Sequence, residues 1–250
     1  MTDTIEIEER ESSPPASTTA RWLRVARAGA LTIVVWSLAL QLLAEFIPPV
    51  TLIGVVFLVL ALFLKGERRR LGLVAAVLAF LAVAGNLPMT LDELSHPSSP
   101  VAFLLTLLAT SAAAVVVVAG MAAFFGWSAD SNRAVYYSWG GVLALGVVVS
   151  LAAASGVDSV GPQPGDVEVV ASGVEFDQDR IVVPAGESGF WLDNRDGIRH
   201  TFTIEGLGLE IDAPGMSSQR ADFDLAAGEY TVICAVPGHE NMIIDLVVEP

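Results

Sequence analysis

From residue 28 to residue 156 the chain is a series of long uncharged runs rich in Leu, Val and Ala, broken by short polar loops; beyond residue 166 the apolar positions alternate with period two. The two rhythms predict two kinds of element. A membrane-spanning helix needs about 20 apolar residues, because the hydrocarbon is ~30 Å thick and each residue rises about 1.5 Å. Five segments meet or approach that length: 28–46, 49–64, 71–88, 100–126 and 136–155. Pro48 and Pro49 divide the first from the second, which is the shortest. In the last segment Gly140, Gly141, Ala144 and Gly146 form a small-residue face suited to close helix packing.

The loops carry an orientation. Arg21, Arg24 and Arg27 precede the first span, Lys65 and Arg68–Arg70 separate the second from the third, and Arg133 separates the fourth from the fifth. The intervening loops, 47–49 and 89–99, hold no Lys or Arg. Cytoplasmic loops are the ones enriched in Lys and Arg, so the N-terminus is expected inside and residues beyond 156 outside. The acidic stretch MTDTIEIEERESSPPASTTA reads as a disordered tail, unlike the short basic start of a cleavable signal.

The second half reads as short strands. DVEVVAS, RIVVPAG, GFWLDN, HTFTIEG, the two runs of ADFDLAAGEYTVICAV around Gly228, and MIIDLVVE make seven or so, separated by Gly, Pro and Asn-Asp turns. That pattern predicts an antiparallel sandwich. The fold class is therefore α + β in separate domains: a five-helix transmembrane bundle followed by a Greek-key β-sandwich. The boundaries are 1–26 for a cytoplasmic tail, 27–156 for the spans, 157–165 for a flexible Gly- and Pro-containing linker, and 166–250 for the sandwich.

Charge refines the picture. Residues beyond 156 hold 18 Asp and Glu against 4 Arg, and no basic patch marks a nucleic-acid partner. Lys occurs once against 12 Arg, and an acidic, Lys-poor surface suits concentrated salt, where screening shortens to about 3 Å at 1 M. A halophilic source is the expectation. One cysteine, Cys234, excludes an internal disulfide and leaves the thiol for packing or ligation.

Candidate chemistry is concentrated in CAVPGHENM, residues 234–242. His200 begins one strand, Cys234 ends a later one, and His239 and Met242 follow before the last. In a Greek-key sandwich such strand ends converge at one pole. Two imidazoles and a thiolate with a weak axial thioether are the donor set of blue-copper electron-transfer sites. Met216 in DAPGM is a rival thioether. Zinc accepts two His and one Cys, but Met serves it poorly. The third histidine, His96, lies in the loop DELSHPSSP and reads as a solvated surface residue, as do Glu45, Asp92 and Glu93 near the outer helix ends. The spans hold no histidine, which excludes haem ligated within them.

FDQDRIVVPAGESGFWLDNRDGIRHTF, LAAGEYTVICAVPGHENM and IIDLVVE together resemble the cupredoxin family of plastocyanin, azurin, amicyanin and halocyanin over about 75 residues. The resemblance implies one mononuclear copper held by His200, Cys234, His239 and axial Met242, with His239 presenting a ring edge to solvent as the electron port. The Cys-to-His gap resembles azurin and the His-to-Met gap amicyanin, while Asn241 stands where Gly usually precedes the Met. Thr201 stands where the family often has Asn, so the hydrogen bonds tying the ligand loops are expected to differ. A dinuclear copper centre needs two cysteines, and copper catalysis needs further histidines. The implied protein is not an enzyme. It is a multi-pass cell-membrane electron carrier with its copper domain outside, serving redox partner proteins of a respiratory chain. The alternative is a module for copper storage, sensing or delivery attached to a transport component.

Overall fold

The computed structural model describes residues 17–43, 47–239 and 241–250. Its helices are α1 (Thr18–Leu43), α2 (Pro48–Phe63), α3 (Arg69–Ala84), α4 (Leu87–Ser95), α5 (Pro100–Phe125) and α6 (Asn132–Ala154). Three of them, α1, α5 and α6, are long and apolar enough to cross a membrane. α3 and α4 form a pair bent by 69°, which makes a fourth crossing if the pair is one broken span. α2 is apolar throughout but has 16 residues, about 24 Å of helix, which is short of the hydrocarbon. The expected third span, 71–88, stops early for a local reason. Pro88 has no amide to offer the carbonyl of Ala84, the last residue of α3, so the helix breaks and restarts as α4.

α1 begins at Thr18, earlier than the expected tail boundary at 26, and Trp22, Leu23, Val25 and Ala26 are buried in the helical core. Residues 1–16 of that tail, and Glu45, lie outside the described residues. α5 is the central helix, packed on α1, α3 and α6. Its buried face is mostly Ala and Val, so neighbours approach closely. At the tightest crossing, a Cβ on Gly120 would collide with the carbonyl oxygen of Gly72 in α3. The small-residue face expected on α6 is used at Gly146, which sits against Leu107, while Gly140 and Gly141 face open space.

The described residues of the β domain form eight strands: β1 (Val167–Ala171), β2 (Arg180–Pro184), β3 (Gly186–Asn194), β4 (His200–Ile204), β5 (Leu209–Ala213), β6 (Ser218–Leu225), β7 (Gly228–Ile233) and β8 (Ile243–Glu249). They form two sheets, ordered β1-β3-β6 and β2-β8-β7-β4-β5. The pairs β1–β3 and β2–β8 are parallel, so the sandwich is mixed and not wholly antiparallel. β5, bounded by glycines, is the strand absent from the pattern reading. Alternate residues such as Ile181, Val183, Phe190, Leu192, Phe202, Ile204, Ile244 and Leu246 fill one core between the sheets.

Two features differ from a freely tethered domain. The linker is fastened along β6: Val160 N–H donates to Ser218 O, Trp191 Nε1–H donates to Val160 O, and Arg220 forks onto Asp166 at 2.7 and 2.8 Å. The β domain also rests on the helices. Arg199, 8% exposed, binds both oxygens of Asp92 in α4 at 2.7 and 2.9 Å. Gly215 N–H donates to Ser99 Oγ, and Gly197 packs on Val101. Asp92 and Glu93 are accordingly interface residues and not freely solvated ones. Glu93 is 4% exposed, and His96 Nδ1 is 2.7 Å from Asp92 O.

Candidate metal centre

Three of the four residues singled out by the sequence converge. His200 opens β4, paired on one side with Ala213 of β5. Cys234 directly follows β7, and its amide donates to Met242 O at 3.1 Å. That bond closes the loop 234–242, whose interior turns are made by His239 N–H to Val236 O and Met242 N–H to His239 O. One donor atom each from His200, Cys234 and His239 lie within 4.8 Å of one another, and all three residues are buried. The two imidazole rings are 4.8 Å apart.

The separations are those of a shared ion. Cys234 Sγ is 3.7 Å from His200 Nδ1 and 3.5 Å from His239 Nδ1. Sulfur and nitrogen bonded to one metal at about 2.3 and 2.0 Å, with an angle near 110–120°, stand roughly 3.5–3.7 Å apart. The donor set therefore fits a metal geometrically. A soft thiolate beside two borderline imidazoles fits copper chemically.

Electrostatics prepare these groups. Burial pushes His200 below the usual histidine range, against the opposing pull of Asp196, so the ring stays neutral and ready to ligate. Burial pushes the Cys234 thiol up, partly countered by hydrogen bonds from Thr201 and Val236. An ion must displace that proton, and the same hydrogen bonds then serve the thiolate.

The surrounding bonds hold the ligands in place. Thr201 N–H points at Cys234 Sγ at 3.4 Å, and Thr201 Oγ1 accepts from Ala235 N–H at 2.8 Å. The hydroxyl thus ties the two ligand-bearing segments together. Asn194 and Asp196, read from the sequence only as a strand stop, do more than end a strand. Asn194, 2% exposed, donates to Ile198 O, Ala213 O and Pro214 O and accepts from Asp196 N–H. Asp196 Oδ2 lies 2.8 Å from His200 Nε2. The sequence signal was the turn motif DNRDG. What these side chains hold emerges only from the fold.

One expectation changes, for His239, while the preference for Met242 over Met216 stands. His239 is only 6% exposed, far less open than the ring expected of an electron port. Met216 is 72% exposed, as a surface residue is and a buried ligand is not. Met242 is 1% exposed and sits in the core at the close of the ligand loop.

No family model matches the chain, and no curated protein matches it. Among solved structures it is similar to amicyanin from Paracoccus versutus, at 17% identity over 35% of this chain and 85% of that one, with a TM-score of 0.29. It is also similar to a copper binding protein solved by NMR in the apo form, at 16% identity over 37% of this chain and 96% of that one, with a TM-score of 0.30. A third likeness is to a chain of a heme-copper terminal oxidase dimer solved by cryo-EM, at 22% identity over 46% and 99%, with a TM-score of 0.31. The site is assigned on its own geometry. Two packed sheets bury a His–Cys–His set able to hold a metal ion, beside a helical region with three helices long and apolar enough to cross a membrane.

Proposed function

We propose that the chain is a membrane-anchored blue-copper electron carrier in which His200, Cys234 and His239 are the equatorial ligands and Met242 the weak axial one. The observation that carries this reading is the pair of Sγ···Nδ1 separations, 3.5 and 3.7 Å, inside a buried three-ligand set. Copper in such a set accepts and returns one electron with little movement of its ligands. The residues contribute by holding that geometry: Thr201 ties the loops, Asn194 braces the loop before β4, and burial keeps water from the donors. Among the described residues the cluster is His200, Cys234 and His239, the donor set of a single-ion electron-transfer site.

The remaining parts of the reading concern placement. The charged loops support five crossings, with the N-terminus cytoplasmic and the copper domain outside, α2 crossing as a short helix and α3–α4 as a broken one. β7 lying between β4 and β8 supports Greek-key connectivity. The natural partners are redox proteins of a respiratory chain at the outer membrane face, and the acidic, Lys-poor composition supports a saline setting.

The test is direct. Full-length protein in detergent is loaded with copper, and stoichiometry, visible absorption and reversible reduction are recorded. One copper per chain with an intense visible band that Cys234→Ser abolishes is expected. A colourless protein that exchanges Cu(I) readily would establish the delivery reading instead. For topology, a protease added to intact cells is expected to reach the exposed linker near Gly161 and not the loop at Arg68–Arg70.

A further inference from the structure

The copper reading leaves one arrangement unused. Asp196 lies in the loop leading into β4, and its carboxylate makes three contacts. It accepts from Gly173 N–H at 3.0 Å and Val174 N–H at 3.2 Å, and its Oδ2 is 2.8 Å from His200 Nε2. Both amide-bearing residues are left-handed, with φ +67° at Gly173 and +60° at Val174. For a β-branched residue that conformation is an outlier, of order 1–3 kcal/mol in cost, and persists only where the surroundings impose it. Successive amides turned the same way form a concave anion cradle. Here the anion is a side chain of the same protein.

We propose that Asp196 is a positioning residue for the metal centre: cradled by the Gly173 and Val174 amides, its carboxylate holds His200 as the Nε2–H tautomer and leaves Nδ1 for the ion. This rests on the copper reading and deepens it. The geometry leaves Nδ1 no other task, since it faces Cys234 Sγ while Nε2 faces Asp196. A carboxylate partner, unlike a backbone carbonyl, carries full charge and makes the ring a stronger donor. The higher-charged Cu(II) gains more from that than Cu(I), so Asp196 lowers the reduction potential. The neighbouring cation does not cancel the effect, because Arg199 is engaged by Asp92 and Asp212. The loop is set from both ends, by Asp196 N–H to Asn194 Oδ1 at 2.9 Å and Met216 N–H to Asp196 O at 2.8 Å.

Two measurements on the full chain in detergent test this. In metal-free protein labelled with ¹⁵N-histidine, long-range ¹H–¹⁵N spectra report which nitrogen of His200 carries the proton. Nε2 is expected in the wild type, with mixed tautomers in Asp196→Ala. A wild-type proton on Nδ1 would overturn the proposal. In copper-loaded protein, Asp196→Asn is compared with wild type after both are shown to hold one copper. Removing a supporting partner costs 10–100-fold in metal affinity in comparable sites. A tenfold loss confined to Cu(II) is a rise in potential of about 59 mV. Val174→Gly keeps both amides and is expected to keep the wild-type potential, which separates charge from loop shape. One bound copper with an unchanged potential in Asp196→Asn refutes the role of the charge. If the wild type binds no copper at all, the copper reading fails, and the tautomer spectrum alone decides the case for Asp196.

Discussion

At the scale of single residues, protons and backbone angles give the sharpest expectations. The Cys234 thiol is pushed up by burial and His200 is pushed down, so near neutrality the metal-free site holds a thiol and a neutral imidazole. Copper uptake then releases the thiol proton, and affinity should rise about tenfold per pH unit up to the thiol pKa, which lies above the free value of ~8.5. Below the unfolded histidine value of about 6.5, folded His200 still resists protonation while the unfolded chain does not, so the metal-free domain loses stability as pH falls from there toward the lowered folded value. Titrating copper and thermal stability across pH 5–9 checks both signs. Met216 offers a second test, with φ +60° at 72% exposure. Met216→Gly should relieve the left-handed strain and stabilise the domain by roughly 0.5–1 kcal/mol, with copper colour unchanged. A loss of colour would restore Met216 as a ligand.

At the scale of elements, close packing decides where helices meet. α3 and α5 touch backbone to backbone at Gly72 and Gly120, where no side chain fits. Gly120→Val should cost about 1–3 kcal/mol by overpacking, read as a lower melting temperature in detergent. Gly140→Val, in open space on α6, should leave it unchanged. The strands were largely legible because each alternates: Val169, Ile181, Phe202 and Ile244 all fall on buried positions of the period-two pattern. β5 escaped notice although Leu209, Ile211 and Ala213 alternate, because Gly206 and Gly208 before it and Pro214 and Gly215 after it mark the stretch as loop. The break at Pro88 was available in the sequence too. It was overridden by hydropathy, which sees composition and not a missing hydrogen bond.

At the scale of the molecule, the β domain is seated on the helices and not hung from them. Arg199 is the fastener, and it is adjacent to His200. Asp92→Ala would leave a buried guanidinium with Asp212 alone, a loss of about 2 kcal/mol or more at the interface. The expected readout is hydrogen exchange at the Gly215 amide, whose acceptor is Ser99 Oγ: its protection should fall, while amides of the β7–β8 ladder stay protected. Equal protection in both proteins would show that the dock does not depend on the pair. The loop before His200 is thereby seated against α4 and α5, which places the His–Cys–His end of the β domain near the helices.

By itself the sequence determined the helical and β halves, which His and Cys side chains would converge and the absence of a second cysteine, because these follow from periodicity and donor chemistry that each residue carries with it. The tertiary structure alone decided that the linker lies fastened on β6, that His239 is buried, that Asp92 and Arg199 meet across the two halves, and that Asp196 stands behind His200. Each of those depends on residues far apart in the chain, or on which way a loop turns. An isolated aspartate in a turn motif carries no mark of the side chain it will support.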